Sequence, residues 1–413
     1  MSPMATRSPI AEDSVLGVPP AEVAEPSTVA EAVELVGEAA RGKKSLLFVG
    51  GGTEVELGAR PERLDILLRT RRLDRIVEHA PSDQIVVVEA GVTLAALGRT
   101  LTSAGQRLAL DPPLPEQATI GGIVAANAFG PRRARFGSAR DLIIGVSIVR
   151  ADGVRASGGG KVVKNVAGFD LPKLMVGSLG TLGLIATATF RLHPIPEEAA
   201  TLRSPGLRSA DVTALVARIR QAQLEPDSVV AFRTGSDRFD LAVRFEGFAR
   251  GVTEQRERFA ALVAKELRVD CEALDRAGAE ALWARHDAVR RRGSFRAKLA
   301  ALPTRFEEVE RRSLAPLSAA LGSSECVWYP TLGLGFLGGD PATAAAVAAA
   351  VSSARSALAE RGGTIVVLAA PDDVRSATDV WGPPPAAVSL MRGVKSRLDP
   401  ERRLAPGRFV GGI

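Results

Sequence analysis

Apolar and polar positions follow two different periods along this chain. Short apolar runs such as 45–49 and 184–190 are rich in aliphatic and β-branched residues and adjoin glycines, which predicts strands. In 29–36 the apolar residues recur at helical spacing, and Ser27 and Thr28 before them can cap a helix. Strands and helices alternate in the first part of the chain, and hairpins with longer helices follow. The pattern therefore predicts an α+β fold.

The predicted elements extend over most of the chain. Strands are predicted at 45–49, 65–68, 84–92, 142–149, 154–157, 184–190, 227–233, 239–245, 326–337 and 364–369. Helices are predicted at 29–36, 211–222, 251–266, 341–361 and 388–397, with another that begins after an N-cap at Thr93.

The domain organisation follows from length and from a change in composition. A chain of 413 residues is long enough for two or three domains. Glycine clusters become rarer after residue 197, where longer helices begin. We expect a disordered lead-in over 1–26, a first domain over 27–197, an α+β cap domain over 198–387, and a C-terminal helix and tail over 388–413 that returns to the first domain.

The stretch 161–185 carries the strongest sign of a ligand site. Four glycines fall between Gly168 and Gly183, and Ser178 and Thr181 lie among them. Backbone N–H groups and hydroxyls can therefore converge on a polar ligand without obstruction by side chains. An ordinary glycine-rich surface turn is the alternative for this stretch taken alone.

Two further glycine-rich elements come earlier in the chain. Gly50, Gly51, Gly52 and Thr53 follow a predicted strand, an arrangement typical of an anion-binding turn. No G-x-G-x-x-G or Walker pattern is present there. In 118–130, Gly121 and Gly122 precede small residues that suit a helix packed against a flat ligand, and Asn127 offers a donor and an acceptor to a heterocycle edge.

Composition and charge limit the possible functions. The formal net charge is +6, but the basic clusters are dispersed and lack interleaved aromatic residues, which disfavours nucleic-acid binding. Cys271 and Cys326 are far apart and match no metal spacing, so we expect no metal site, no disulfide and no iron–sulfur cluster in this chain. The apolar runs are shorter than a membrane span and no signal-peptide pattern is present, so we expect a cytoplasmic location without direct membrane insertion.

The three glycine-rich elements, taken together and in chain order, resemble the FAD-binding domain of the vanillyl-alcohol oxidase and p-cresol methylhydroxylase family. The resemblance covers about residues 27–197 and the C-terminal tail. It is carried by the stretches 50–53, 119–127, 165–174, 177–183 and 404–409. The implied fold is a PCMH-type FAD-binding domain of two α+β subdomains, followed by a smaller α+β cap.

Within that family, the chain is most similar to the small FAD-binding subunits of bacterial glycolate oxidases. The residues that carry this likeness are 163–171, 380–383, Lys395 and 398–400. The resemblance implies a subunit that works with a catalytic flavoprotein subunit and an iron–sulfur subunit. The implied complex oxidises glycolate or a similar 2-hydroxy acid to the 2-oxo acid and passes the electrons to an acceptor at the membrane. This chain would be associated with the membrane only through its partners.

The resemblance also implies which residues hold the cofactor. Gly50–Thr53 would face the FAD pyrophosphate. The residues expected near the flavin or packed on the FAD are Ile120, Gly121, Gly122, Gly177, Ser178, Gly180, Thr181 and Ile185. Leu179 replaces a glutamate that is frequent in the family, and Ala405 replaces the usual asparagine of the tail. The first glycine turn carries no histidine, so we expect noncovalent FAD.

The sequence supplies no convincing catalytic residue. Oxidation of a 2-hydroxy acid needs a base for the hydroxyl proton and a cation for the carboxylate. The histidines are His79, His193 and His286, each of which fits a structural role better, and the paired-histidine motif of catalytic relatives is absent. Arg292, Arg296 and Arg305 could bind the carboxylate, or could lie on a solvated face. A subunit with an incomplete active site is therefore favoured over a self-sufficient FAD-dependent dehydrogenase or a non-catalytic flavin-domain scaffold.

Overall fold

A computed structural model describes residues 6–162, 168–269 and 271–413. The chain forms two compact units. Unit 1 contains the chain up to Gly130, residues 137–195 and residues 383–413, and unit 2 contains residues 131–136 and 196–382. The change of unit after Ile195 lies close to the predicted boundary at 197. Residues 163–167 of the predicted flavin motif lie outside the described ranges.

The strands are numbered in chain order. They are β1 Thr6–Arg7, β2 Glu22–Ala24, β3 Leu46–Val49, β4 Ile66–Arg69, β5 Ile76–Ala80, β6 Ile85–Glu89, β7 Gln106–Arg107, β8 Ile143–Val149, β9 Arg155–Gly159, β10 Leu184–Arg191, β11 His193–Pro194, β12 Glu198–Leu207, β13 Ser228–Gly235, β14 Arg238–Gly247, β15 Glu272–Leu274, β16 Phe295–Ala300, β17 Leu321–Tyr329, β18 Leu334–Pro341 and β19 Thr364–Ala369.

The helices are numbered in the same way. They are α1 Val29–Arg41, α2 Leu94–Thr102, α3 Ile120–Ala126, α4 Arg133–Phe136, α5 Ala139–Leu142, α6 Leu171–Met175, α7 Ser209–Gln221, α8 Ala249–Leu267, α9 Arg276–Arg290, α10 Phe306–Val309, α11 Ala315–Ala319, α12 Ala344–Ala359, α13 Asp372–Ala377 and α14 Val388–Leu398. No helix in the described part of the chain is long and apolar enough to cross a membrane.

Unit 1 contains two main sheets. The first has the order β1-β2-β4-β3, with β2 and β3 parallel to β4, and the second is antiparallel with the order β5-β6-β10-β8-β9. Helix α1 begins after Thr28, whose hydroxyl accepts the amide hydrogen of Glu31, as the sequence predicts. The apolar face of α1 packs on both sheets, because its buried residues share one core with Leu46, Ile66 and Leu184.

The predicted disordered lead-in is wrong for residues 6–26. Strand β2 pairs with β4, and β1 pairs with β2, so this segment is an integral edge of the first sheet. The apolar residues Val15 and Val23 are buried in a core cluster with Leu47 and Leu67. Only five residues form strands here, in two short pieces of two and three residues, and Val15 and Val18 form an isolated bridge. Pieces this short show no period in the sequence.

Asp13 fixes this N-terminal segment, and its replacement by asparagine should lower stability. Its buried carboxylate accepts hydrogen bonds from Arg7 Nη1 at 2.6 Å, Arg69 Nη2 at 2.5 Å and the Ile10 amide at 2.9 Å. We expect Asp13→Asn to reduce the free energy of unfolding at pH 7 by about 1–2 kcal/mol, a modest figure because both arginines stay partly exposed and screened. Urea denaturation measures this change.

The Asp13 prediction has a defined pH dependence. The hydrogen bond with Arg7 lowers the pKa of the Asp13 carboxyl, a shift that burial opposes. A carboxyl with a lowered folded-state pKa stabilises the fold above its unfolded pKa of about 3.9, and that stabilisation is lost as the pH falls further. The deficit of Asp13→Asn should therefore shrink below about pH 4. The exposed neighbour variant Glu12→Gln is the control, and an equal deficit at pH 7 and pH 3 would contradict the assignment.

Unit 2 is built on one antiparallel sheet of eight strands. Its order is β15-β12-β14-β13-β17-β18-β16-β19. The sequence predicts a single strand over 326–337, and this is wrong: β17 and β18 form a hairpin around residues 330–333. Gly333 has a φ of +65° in that turn, where its ideal Cβ would lie 1.9 Å from the Ala301 carbonyl oxygen. Pro330 and Gly333 are turn residues and were the signal for this break, which the prediction of one continuous strand overlooked.

Candidate functional site

A cavity in unit 1 is lined by residues from all three glycine-rich elements. It encloses about 790 Å³ of space, part of which is open to solvent. The end of β3 with the turn that follows, the first turns of α3, and the loop before β10 form its walls. The lining residues that the sequence predicts are Gly50, Gly51, Gly52, Thr53, Gly121, Gly122, Gly180 and Ile185.

The first glycine turn lies against the backbone that precedes α3. An ideal Cβ on Gly50 would lie 2.0 Å from Thr119 Oγ1, and one on Gly51 would lie 1.7 Å from the Gln117 carbonyl oxygen. Gly52 has a φ of +75° and open space around its Cβ position. In the described part of the chain, the amide N–H groups of these three glycines make no hydrogen bond to protein. They are therefore available to an anionic group.

Helix α3 forms the second wall. Thr119 caps it by accepting the amide hydrogen of Gly122 at 3.3 Å, and the Gly121 amide donates to the Ala90 carbonyl at 2.8 Å. Gly121 is needed because its ideal Cβ would lie 2.7 Å from Ala90 Cβ. Since both amides are already bonded, this helix start offers a flat surface rather than anion-binding donors. The glycines let a ligand approach α3 closely.

The loop before β10 forms the third wall. The Gly177 and Leu179 amides donate to the Val124 and Ala125 carbonyls of α3, each at 2.9 Å. Gly180 is buried and has a φ of +75°, and Leu179 lines the cavity with a φ of +49°. The loop is therefore attached to α3 by its backbone, and it turns through left-handed conformations that favour glycine.

Five predicted residues lie in these walls without lining the cavity itself. They are Ile120, Asn127, Gly177, Ser178 and Thr181. Ile120 is fully buried behind the wall, and Thr181 Oγ1 donates to the Ser178 carbonyl at 2.7 Å. Asn127 Oδ1 and Ser178 Oγ are buried atoms without a hydrogen-bond partner. Gly177 precedes Ser178 in the chain, and its ideal Cβ position lies 3.7 Å from Asn127 Cβ.

Arg408 is a cavity residue that the site prediction missed. Its Nη2 donates to the carbonyls of Val55 at 2.8 Å and Leu57 at 2.6 Å, and the side chain lines the cavity. The guanidinium therefore holds the loop after the first glycine turn and places a positive charge at the wall. The Pro406-Gly407-Arg408 ending was the available signal, although Arg402 and Arg403 lie close to it in the sequence.

The three candidate substrate arginines all lie in unit 2. Arg296 is buried in β16, where it pairs in register with Gly338 of β18. Arg292 and Arg305 are exposed, and Arg305 lies 3.7 Å from Glu308. Their role in substrate binding stays a prediction.

Each histidine has structural contacts. His79 Nε2 lies 3.0 Å from Gln106 Oε1, and His286 Nε2 lies 2.5 Å from Tyr329 Oη. Burial lowers the pKa of His193, and the charges of Arg191 and Arg107 act in the same direction. His286 and Tyr329 are both almost completely buried, so neither is accessible to a substrate.

The cavity fits an FAD cofactor by the chemistry of its walls. Unbonded amides in the first glycine turn suit a pyrophosphate, and the open space at the Cβ position of Gly52 leaves room for a ligand. The buried atoms Asn127 Oδ1 and Ser178 Oγ can bond to polar groups of a ligand that reaches them. Among the described residues, no group of three or more histidine, cysteine, aspartate or glutamate side chains could hold a metal ion.

Residues 20–157 match a family described as an FAD binding domain. The structure of p-cresol methylhydroxylase with substrate bound superposes with a TM-score of 0.74 at 16% sequence identity, covering 95% of this chain and 89% of that one. Since the identity is low, the structural likeness shows the fold alone. Together, these findings show that residues 20–157 match an FAD binding domain and that the chain has the fold of p-cresol methylhydroxylase.

Two curated relatives illustrate the sequence likeness. The chain is 34% identical over 228 residues to the glycolate oxidase subunit GlcE of Escherichia coli strain K12, which covers 54% of this chain and 62% of the relative. It is 36% identical over 178 residues to the D-lactate dehydrogenase of Archaeoglobus fulgidus, which covers 42% of this chain and 39% of the relative. The matched segments therefore span less than two thirds of these relatives.

Proposed function

We propose that this chain is the FAD-binding subunit of a glycolate oxidase-like complex that oxidises glycolate or a related 2-hydroxy acid to the 2-oxo acid. The observation that carries the proposal is the cavity of unit 1, whose glycine turn presents unbonded amides within an FAD-binding domain. Likeness to a protein named as a glycolate oxidase subunit supports the substrate class. FAD held here would relay the electrons of the oxidised CH–OH group, or would complete the substrate site within the complex.

The chain's own residues would hold the cofactor without a covalent bond. The amides of Gly50–Gly52 bind the pyrophosphate, and Gly121, Gly122 and Ile185 contact the isoalloxazine or its linker. Asn127 Oδ1 and Ser178 Oγ would bond to any polar group of the cofactor that reaches them, and Arg408 would hold the wall through the carbonyls of Val55 and Leu57. Noncovalent binding is favoured because the first turn, from Gly50 to Glu54, contains no histidine, cysteine or tyrosine to which a flavin could attach.

The proposal includes partners that complete the reaction. No described group in unit 1 presents a base into the cavity besides the half-buried Glu54. A catalytic flavoprotein subunit would supply the substrate site, and an iron–sulfur subunit would carry electrons onward. The complex would be cytoplasmic, and peripheral to the membrane only through partners. A self-sufficient dehydrogenase is the second candidate. The likeness to a relative named D-lactate dehydrogenase, a name that mentions no subunit, favours it.

Anaerobic flavin reduction tests the proposal. We expect the isolated chain to contain FAD that acid precipitation releases, and its flavin absorbance to stay unchanged when glycolate or D-lactate is added. The complex purified through a tag on this chain should contain a second flavoprotein and an iron–sulfur protein, and the same acids should bleach its flavin. Rapid bleaching of the isolated chain would instead establish the self-sufficient dehydrogenase. Absence of FAD from both preparations would reject both candidates.

A further inference from the structure

Lys395 occupies an unusual position at the back of the cavity wall in unit 1. It belongs to α14, and only 3% of it is exposed. Its ammonium group donates to Asp399 Oδ2 at 2.6 Å, to the Thr181 carbonyl at 2.8 Å and to the Leu404 carbonyl at 2.8 Å. An ammonium has three donors, so all of them are used.

Asp399 extends this contact into the C-terminal tail. The carboxylate is fully buried, and it accepts the amide hydrogens of Arg403 at 3.0 Å and Leu404 at 2.7 Å. The tail then adds to the edge of β3, because the Leu46 amide donates to Arg403 and the Ala405 amide donates to Leu46. One buried ion pair therefore fixes the end of α14 and the tail.

The bond to Thr181 brings the ion pair to the cavity wall. Thr181 follows Leu179 and Gly180, which line the cavity, and its own amide and hydroxyl bond to the Ser178 carbonyl. On the other side, the tail continues to Arg408, which also lines the cavity. Lys395 thus connects the loop before β10 to the C-terminal tail behind the cavity wall, and it does not line the cavity itself.

Stability alone gives a weak reason for a lysine at this position. Burial lowers the pKa of the Lys395 ammonium, although the bond to Asp399 opposes that shift. Buried ion pairs carry a desolvation cost that often cancels their attraction, and apolar side chains of similar volume can stabilise a fold as well. What an apolar side chain cannot do is hold two backbone carbonyls at fixed positions.

We propose that Lys395 is a positioning residue for the flavin, which fixes the turn at Leu179 and Gly180 relative to the C-terminal tail. This inference rests on the proposed function, because it requires FAD in the cavity of unit 1. Loss of the ammonium leaves the buried Asp399 carboxylate without its charge partner and lets the turn and the tail move apart. FAD then binds more weakly and in a less defined orientation.

Variants of Lys395 test the role. We expect Lys395→Met to raise the dissociation constant for FAD about tenfold or more, as for the loss of hydrogen bonds from a charged group. Visible circular dichroism of the bound flavin should change shape, because it reports the asymmetry around the ring. Lys395→Arg keeps the charge, but its planar fork cannot reach three acceptors arranged around one nitrogen. It should also alter the dichroism.

Two controls separate positioning from general stabilisation. Lys44→Met removes an exposed lysine that pairs with Glu22, and it should behave as wild type. Arg403→Met releases the tail from the carbonyls of Lys44 and Ala151 without touching Thr181, so its effect on FAD should be smaller than that of Lys395→Met. Urea denaturation of the apoproteins shows whether each variant is folded.

The outcomes distinguish this inference from the proposed function. Wild-type affinity and dichroism in Lys395→Met, or in Lys395→Arg if only that variant folds, would overturn the positioning role. An equal loss of FAD affinity in Arg403→Met would also overturn the positioning role, because loosening of the tail alone would then explain the effect. If wild type binds FAD but no 2-hydroxy acid reduces it even in the purified complex, the oxidase proposal fails, and the FAD measurements still decide the role of Lys395.

Discussion

Replacing Gly122 by leucine should abolish FAD binding while leaving the fold intact. Gly122 lies on α3 at the cavity wall, and the nearest heavy atom to its ideal Cβ is Thr119 Oγ1 at 3.1 Å. A side chain there projects into the space that the flavin needs. Leucine also has a higher helix propensity than glycine, by about 0.5–1 kcal/mol. We expect the dissociation constant for FAD to rise about 100-fold or more with little change in apoprotein stability.

The matched control for Gly122→Leu is Gly98→Leu. Gly98 lies inside α2, has no heavy atom within 4 Å of its Cβ position and does not line the cavity. Both variants exchange a helical glycine for leucine, so they differ mainly in what the new side chain faces. Flavin fluorescence titration and urea denaturation measure binding and stability. Normal FAD affinity in Gly122→Leu would show that the cofactor lies elsewhere.

Replacing Gly51 by alanine should destabilise unit 1 and remove FAD binding together. The added Cβ would lie 1.7 Å from the Gln117 carbonyl oxygen and 2.7 Å from its carbon, and these are backbone atoms that cannot rotate away. The turn must therefore separate from the segment before α3, which opens the cavity wall. Overpacking of this kind costs about 3 kcal/mol or more when backbone has to move. Urea denaturation and FAD content after purification check both effects.

Gly52→Ala is the control for Gly51→Ala, because it adds a Cβ to the same turn without a close contact to other backbone atoms. Gly52 has open space at its Cβ position, so the main penalty is its φ of +75°, about 1 kcal/mol for alanine. We expect Gly52→Ala to fold with a small loss of stability, whatever its effect on FAD. Similar destabilisation by the two variants would mean that the conformation of the turn matters, and the contact with Gln117 would then not explain the need for glycine at residue 51.

Local chemistry made most elements of unit 1 predictable. Helix α1 begins after Thr28 and α2 after Thr93, where the hydroxyls cap the helices as expected, and β3, β4, β8 and β10 lie within a few residues of their predicted positions. These elements have a clear apolar period and a cap or glycine at their ends. Strands β1 and β2 were missed because each is too short to show a period.

The glycine clusters predicted a cofactor site, and residues from all three of them line one cavity. Gly50 and Gly51 permit close backbone approach, and Gly180 turns through a left-handed conformation, both of which are properties of the residue type itself. The sequence could not assign the individual roles. Gly51 packs against Gln117, whereas Gly122 faces the cavity, and this difference depends on which segments meet in the folded chain.

The sequence by itself determined the α+β class, the cofactor-binding type of the first domain and the absence of a histidine motif in the cap. Those properties are local, since they depend on residue types at short spacing. Only the tertiary structure decided that Arg408 lines the cavity and that Lys395 lies behind the cavity wall. Lys395 bonds to Thr181, and Arg408 bonds to Val55, across more than 200 positions of the chain in each case. Such long-range contacts leave no periodic pattern in the sequence. A buried cation needs hydrogen-bond acceptors, and here backbone carbonyls from distant parts of the chain supply them only after folding.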